Sequence, residues 1–180
     1  MGIRAFVALD LDQAARERLE GAIEVLKPQL AGMKWVRPNA IHLTLRFLGP
    51  STPDALECLK PRLASAAFAC SAADARLTGF GLFPERGAPR VLWVGLEFAA
   101  PLLKLQADTE AASVGCGFAP EPRRFAPHLT LGRWREHGPR PALPDVGMGV
   151  AHLDRLVLYR SELRRGGAIY TPLATFPLGG

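Results

Sequence analysis

The tetrapeptide His42-Leu43-Thr44-Leu45 recurs along the chain as His128-Leu129-Thr130-Leu131, 86 positions later. Each copy follows a proline-containing approach and lies in a run of β-favouring residues. Successive side chains of a strand point to opposite faces, so each histidine shares a face with its threonine while the leucines point the other way. The repeat therefore predicts two strands that each present an imidazole and a hydroxyl above an apolar anchor.

The sequence around these motifs also repeats. Residues 7–11 (VALDL) resemble residues 94–98 (VGLEF), 87 positions apart, and each segment is followed by a predicted helix, over 13–27 and 102–114. Strand, helix, loop and histidine-bearing strand thus recur nearly in register. We interpret this as a two-copy repeat with a pseudo-twofold axis, which would bring the two His/Thr pairs together across a cleft.

Strand patterns dominate the rest of the chain, and several follow one another with no room for a crossover helix, which favours antiparallel pairing. Strands are predicted over 3–11, 33–36, 41–48, 75–81, 91–98, 124–134, 153–159 and 168–176, and a further helix over about 52–67. We predict an α+β fold in which residues 1–180 form a single domain. Its two pseudo-symmetric lobes would each be a strand-helix-strand unit, with antiparallel sheets flanking a central cleft.

Composition limits the classes of function. The 180 residues are 48% hydrophobic and 22% charged, and no apolar run approaches the roughly 20 residues that cross a bilayer. The N-terminus reaches Asp10 too soon for a signal peptide, so a protein with no membrane association is expected. Cys58, Cys70 and Cys116 are odd in number and lack a CxxC pair, which predicts free thiols and a cytoplasmic location. A net charge of +5, mostly from arginine, favours a phosphate-bearing partner.

Two histidines in one cleft suit the opening of a cyclic phosphodiester. This reaction needs a base to activate water and an acid to protonate the departing ribose oxygen, and histidine serves either role near neutral pH. The threonine hydroxyls could bind the non-bridging oxygens. A zinc site would need a third ligand, and no carboxylate cluster accompanies the motifs. His137 and His152 lack the threonine and are predicted to be surface residues.

Several segments, in order, resemble the 2H phosphoesterase superfamily. They are RAFVALDL (4–11), HLTLRFLG (42–49), VLWVGLEF (91–98), RRFAPHLTLGR (123–133) and LYRSELRRGGAIYTPLATFPL (158–178). The branch most similar to this chain is that of the RNA 2′,3′-cyclic phosphodiesterases, also called the LigT-like or 2′-5′ RNA ligase family. The resemblance implies a two-lobed LigT-like fold, no metal or organic cofactor, and hydrolysis of a 2′,3′-cyclic phosphate to a 2′-phosphate.

The resemblance also assigns roles by motif position. His42 would donate a proton to the leaving 3′ oxygen, and His128 would be the base that activates water. Thr44 and Thr130 would bind the phosphate. Substrates would be RNA with a 2′,3′-cyclic phosphate end, such as tRNA fragments, or cyclic nucleotides, and a monomer would suffice because one chain holds the whole cleft.

Positions five residues after each histidine are less easily placed. By the family pattern, Arg133 would contact the phosphate with its positive charge. Phe47 occupies a position where the family can have an aromatic residue near the nucleobase. In an ideal strand, residues five apart face opposite ways, so both side chains should point away from the histidines. Arg46 has the parity to share the face of His42, which makes it a second candidate for the phosphate contact.

Three other activities are consistent with the same motifs. The site run backwards would join a cyclic phosphate to a 5′-hydroxyl as a 2′-5′ linkage, although water at about 55 M competes with an unheld RNA end. A protein that binds RNA ends without turnover is less favoured, since both His/Thr pairs are complete. Other 2H branches act on 2′-5′-linked oligonucleotides or on nucleotide 1″,2″-cyclic phosphates. Trp35 and Trp93 could stack bases, but a tryptophan in a strand more often belongs to the core.

Overall fold

Strands outnumber helices in the described part of this computed structural model, which covers residues 2–145, 147–165 and 167–179. The α-helices are α1 (Gln13–Leu26), α2 (Pro53–Phe68) and α3 (Ala100–Val114). The strands are β1 (Ile3–Leu9), β2 (Met33–Trp35), β3 (Leu43–Ser51), β4 (Ala73–Phe83), β5 (Val91–Glu97), β6 (His128–Trp134), β7 (Val150–Leu153), β8 (Arg155–Arg164) and β9 (Gly167–Pro177). The predicted α+β class is confirmed.

The strands form one antiparallel sheet in the order β7-β4-β5-β6-β3-β1-β8-β9, and β2 pairs with the free part of β6. The innermost strands are β3, which His42 directly precedes, and β6, which begins at His128, and they are joined through one residue pair, Leu43 with Leu129. Along this path four strands therefore lie on each side of the junction, and β2 is the ninth. Strands β1 and β5, which carry the repeated VALDL and VGLEF segments, occupy equivalent positions beside β3 and β6.

One hydrophobic cluster holds the sheet and the helices together. Leu43 and Leu129 are fully buried in it, together with apolar residues from all three helices. In α2, the Thr52 hydroxyl accepts a hydrogen bond from the Ala55 backbone amide, as a helix N-cap does. The leucine face of the central strands is therefore covered, which leaves the opposite, histidine face for a ligand. No helix of the described residues is long and apolar enough to span a bilayer.

The cysteines differ from the sequence expectation. Cys58 in α2 and Cys116, just beyond α3, form a disulfide with their Cα atoms 5.8 Å apart, while Cys70 is free and buried. The expectation of three free thiols is therefore wrong for this pair. The two cysteines are 58 residues apart in sequence, and they meet because α2 packs against α3, which cysteine spacing alone does not reveal.

We expect reduction of this disulfide to lower the free energy of unfolding. Closing a loop of this length restricts the unfolded chain and contributes roughly 2–4 kcal/mol, or about 5–15 °C in Tm for a protein of this size. Thermal unfolding with and without dithiothreitol measures the effect, and Cys58→Ser is the control that the reductant should not change. An unchanged Tm, with three thiols titrating in the unreduced protein, would contradict the prediction.

Candidate active site

The two His/Thr motifs meet at the centre of the sheet. Antiparallel pairing of Leu43 with Leu129 sets the residue before one leucine opposite the residue after the other. His42 is thus across from Thr130, and His128 is likewise across from the threonine of the first motif. Because both leucines point into the core, the two imidazoles and the two hydroxyls share the opposite face. The four residues predicted from the motifs are therefore brought together.

Both imidazole rings are oriented in the same way. Nδ1 of His42 lies 2.8 Å from the carbonyl oxygen of Ala40, and Nδ1 of His128 lies 2.8 Å from that of Ala126. A carbonyl oxygen only accepts hydrogen bonds, so each Nδ1 carries its hydrogen and donates it. In both residues Nε2 is therefore the atom that remains for proton exchange with a substrate.

A charged side chain from α1 fixes the turn before His42. The Arg16 guanidinium donates hydrogen bonds to the carbonyl oxygens of Pro38 (2.9 Å), Ile41 (3.1 Å) and Leu11 (3.2 Å). The first two acceptors flank the carbonyl that receives the His42 hydrogen bond. Arg16 thus positions the ring of His42 without touching it, a role for which the sequence carries no motif.

Aromatic rings surround His42. Phe6 stacks on its imidazole at a centroid distance of 4.6 Å, and Tyr170 meets it edge-on at 5.0 Å. The hydroxyl of Tyr159 donates to a carboxylate oxygen of Asp10 at 2.6 Å. Burial and this hydrogen bond raise the pKa of Tyr159, so the phenol stays protonated at neutral pH. The sequence does not mark Phe6 as a site residue, because an apolar residue in a strand is typical of the core.

Burial lowers the pKa of His42 from its usual 6.5 to about 4. The hydrogen bond to Ala40 and the charge of Asp10 act in the opposite direction, whereas Arg16 lowers the pKa further. The ligand-free protein therefore holds His42 neutral at pH 7. A phosphate bound beside it would favour the protonated form.

The low pKa of His42 makes folding sensitive to acid. Between pH 6.5 and about 4 the unfolded chain protonates this histidine and the native protein does not. The contribution of His42 to the free energy of unfolding is therefore fully present above pH 6.5 and is lost as the pH decreases towards 4. The shift corresponds to about 3 kcal/mol. We expect urea unfolding at pH 7 and pH 4.5 to show this loss, and His42→Gln to lack that part of it. An NMR titration of His42 centred near pH 6.5 would refute the prediction.

Fewer aromatic rings surround His128 than surround His42. Phe83 meets His128 edge-on at 5.1 Å, and the Trp93 ring lies 6.3 Å away. The tryptophan packs flat over Gly81, where a Cβ atom would come within 2.1 Å of its ring. Burial lowers the pKa of His128, the hydrogen bond to its carbonyl partner raises it, and Arg133 lowers it again.

The positions five residues after each histidine lie on the histidine face, contrary to simple alternation. On β3, Arg46 pairs with Val7 but Thr44 pairs with the adjacent Ala8, so Leu45 is an extra residue between them. Such a β-bulge reverses the alternation beyond it. Phe47 is accordingly exposed on the histidine face, with its ring 6.2 Å from Phe6.

Strand β6 carries the matching bulge. Leu92 pairs with Gly132 and its neighbour Trp93 with Thr130, which leaves Leu131 as the extra residue. The bulge turns the exposed Arg133 towards the face of the second histidine. Its charge accordingly influences the pKa values of both His128 and Tyr170.

The parity argument for Arg46 is wrong, because the bulge directs this side chain into the interior. Arg46 is only 6% exposed, and its Nε lies 2.7 Å from Glu110 in an ion pair whose angle is too poor for a hydrogen bond. Nη1 donates to Glu121 at 3.4 Å, and Nη2 donates to the carbonyl oxygen of Ala119. Arg46 therefore holds the segment that leads into β6, rather than facing the cleft.

A cavity of about 240 Å³ opens beside His42. Its polar and aromatic lining comes from Asp10, Arg37, Asn39, Tyr159 and Tyr170. Among the described residues no group of three or more His, Cys, Asp and Glu lies together as a metal site. His137 is exposed, and the half-exposed His152 pairs with Asp74 at 2.8 Å, away from the histidine face of the central strands.

The chain is similar to known phosphoesterases. The family model for LigT-like phosphoesterases matches residues 9–93 and 95–170. An RNA 2′,3′-cyclic phosphodiesterase of Methanothermobacter thermautotrophicus is 33% identical over 99% of this chain and 100% of its own length. The enzyme of that name from Thermus thermophilus is 37% identical over 99% of this chain and 91% of its own.

Solved structures agree with the sequence relatives. A crystal structure of a Thermus thermophilus protein superimposes with a TM-score of 0.87 at 33% identity and covers 98% of both chains. Escherichia coli LigT complexed with 3′-AMP gives a TM-score of 0.86 at 25% identity over 99% of both chains.

Proposed function

The chain belongs to the LigT-like phosphoesterase family, and from that membership we propose that it hydrolyses RNA 2′,3′-cyclic phosphate ends to 2′-phosphates. The observation that carries the proposal is the reciprocal placement of two His/Thr pairs on one face, with each Nδ1 bonded to a backbone carbonyl and neither Nε2 bonded within the described residues. An acid and a base on opposite sides of one phosphorus atom are what an in-line opening of the ring requires.

In the proposed reaction His128 is the base and His42 the acid. Nε2 of His128 takes a proton from the attacking water, while Nε2 of His42 gives a proton to the departing 3′ oxygen. Two nearby charges fit this division, since Arg133 lowers the pKa of His128 and Asp10 raises that of His42, although the charges of Arg16 and His128 lower the pKa of His42. The phosphate charge would raise the pKa of His42 on binding, which supplies the acid only when substrate is present.

The remaining groups on this face would stabilise the reacting phosphate. The hydroxyls of Thr44 and Thr130 and the guanidinium of Arg133 are donors for the non-bridging oxygens, where negative charge develops. The leaving oxygen belongs to the ribose, so the terminal nucleoside would extend from His42 towards the adjoining cavity. The exposed ring of Phe47 could contact its base.

We further propose that no metal ion takes part, because these donors and the two histidines supply every charge and proton that the reaction needs. A single chain holds the complete set, so a monomer would be active. RNA fragments with cyclic phosphate ends, including those of tRNA, would be the substrates.

The direct test is an oligoribonucleotide ending in 2′,3′-cyclic phosphate, incubated with purified protein in excess EDTA. Conversion to the 2′-phosphate, identified by chromatography and by 31P NMR, is the expected result. Absence of conversion by folded protein both in EDTA and with added metal would overturn the proposed activity, whereas conversion only with added metal would overturn the metal-free mechanism. Inclusion of a 5′-hydroxyl RNA in a parallel reaction reports any 2′-5′ ligation.

A further inference from the structure

Two positive side chains are direct neighbours at one end of the cleft. In the register of β2 and β6, Lys34 pairs with Arg133. Antiparallel partners point to the same face with their Cβ atoms about 5 Å apart, and like charges in this arrangement destabilise a sheet. Such a pair is expected where an anion offsets the repulsion.

No carboxylate supplies that compensation within the described residues: neither Lys34 nor Arg133 has a carboxylate oxygen within 4.0 Å. The other three lysines of the chain each pair with a carboxylate three or four residues away in the sequence. These pairs are Lys27 with Glu24, Lys60 with Glu57, and Lys104 with Asp108. Lys34 is therefore the exception among the lysines, and it is the one beside the active site.

The position of the pair relative to the reacting phosphate is set by β6. From Thr130 to Arg133 the strand advances about 7–10 Å, allowing for the bulge at Leu131. This is comparable to the spacing of successive phosphates along a nucleic-acid strand. The first residue of β9 borders the same place, since a Cβ atom on Gly167 would lie 3.8 Å from Cε of Lys34.

We propose that Lys34, together with Arg133, binds the internucleotide phosphate on the 5′ side of the terminal nucleotide. This inference rests on the proposed function and adds a substrate preference to it: a strand end with at least one internucleotide phosphate is used better than a cyclic mononucleotide. Lys34 acts as a point charge on the second phosphate, whereas Arg133 reaches both phosphates.

The test compares adenosine 2′,3′-cyclic phosphate with the dinucleotide ApA 2′,3′-cyclic phosphate, which adds one internucleotide phosphate. For Lys34→Gln we expect kcat/KM to fall about tenfold on the dinucleotide and to stay unchanged on the mononucleotide. Lys34→Arg should retain most of the dinucleotide activity. Lys104→Gln, which removes an equal charge on α3, is the matched control and should leave both rates unchanged.

A dinucleotide with a neutral methylphosphonate linkage completes the test, since the Lys34→Gln effect should disappear on this substrate. An equal loss on both natural substrates, or no loss on either, would overturn the second phosphate site while mononucleotide turnover by the wild type keeps the proposed function. If the folded wild-type protein hydrolyses none of these substrates, both the proposed function and the second phosphate site are overturned. An unchanged unfolding midpoint of Lys34→Gln excludes misfolding as the cause.

Discussion

Replacement of either active-site histidine by alanine is expected to lower kcat/KM for a 2′,3′-cyclic phosphate end by about 10²–10⁴-fold. General acid and general base catalysis each contribute a factor of this size, and in the proposed mechanism each histidine acts through Nε2, the ring nitrogen not bonded to its backbone carbonyl. The measurement is initial-rate kinetics at pH 7 with EDTA present. His42→Asn and His128→Asn are companion variants that retain a donor near the backbone carbonyl and so preserve the local fold.

A leaving group that needs no proton separates the two roles. When sulfur replaces the 3′ bridging oxygen of the cyclic phosphate, departure no longer depends on an acid. His42→Ala should then recover much of the wild-type rate, whereas His128→Ala should stay impaired, because water must still be activated. Recovery by the His128 variant instead would reverse the assigned roles, and full activity of both alanine variants on the natural substrate would end the two-histidine mechanism.

Replacement of Arg46 by methionine is expected to lower the free energy of unfolding by about 3–5 kcal/mol. The substitution keeps the apolar length of the side chain but removes the ion-pair partner of Glu110, a carboxylate that is only 25% exposed, whereas Glu121 keeps its pair with Arg123. It also removes the donor to Ala119. For a chain of this size the loss corresponds to about 6–20 °C in Tm, measurable by calorimetry.

Arg123 offers a matched control for this prediction. It pairs with the same Glu121, but its side chain is 78% exposed, so Arg123→Met should cost less than about 1 kcal/mol. Adding Glu110→Gln to Arg46→Met should recover part of the lost stability, because one buried charge is removed. If both arginine variants unfold at the same temperature, Arg46 does not have the structural role assigned to it.

Much of the fold was predictable because period and repetition are local properties of the sequence. The strand pattern around His42 and His128 predicts two alternating strands, and the shared segments before them predict equivalent places in the sheet. Apolar spacing in α1 likewise predicts a helix with one buried face, which carries Leu19 and Ile23.

What could not be predicted depends on contacts between distant segments. Nothing in HLTLRF marks Leu45 as an extra residue, so alternation placed Arg46 and Phe47 on the wrong faces. The pairing of Cys58 with Cys116 follows from the packing of two helices, and the ion pair of Arg46 from a carboxylate on another element. In each case the deciding partner lies dozens of residues away.

The order of strands also has a consequence for how the chain is made. Strands β4 to β7 lie between residues 73 and 153 and pair among themselves, so they can associate as soon as that stretch has been synthesised. Strand β1 pairs with β3 on one side and needs β8, which begins at Arg155, on the other. At about 5–20 residues per second this second neighbour emerges roughly 7–30 s after β1. During that interval one edge of β1, with its apolar run from Ala5 to Leu9, lacks the strand that will cover it.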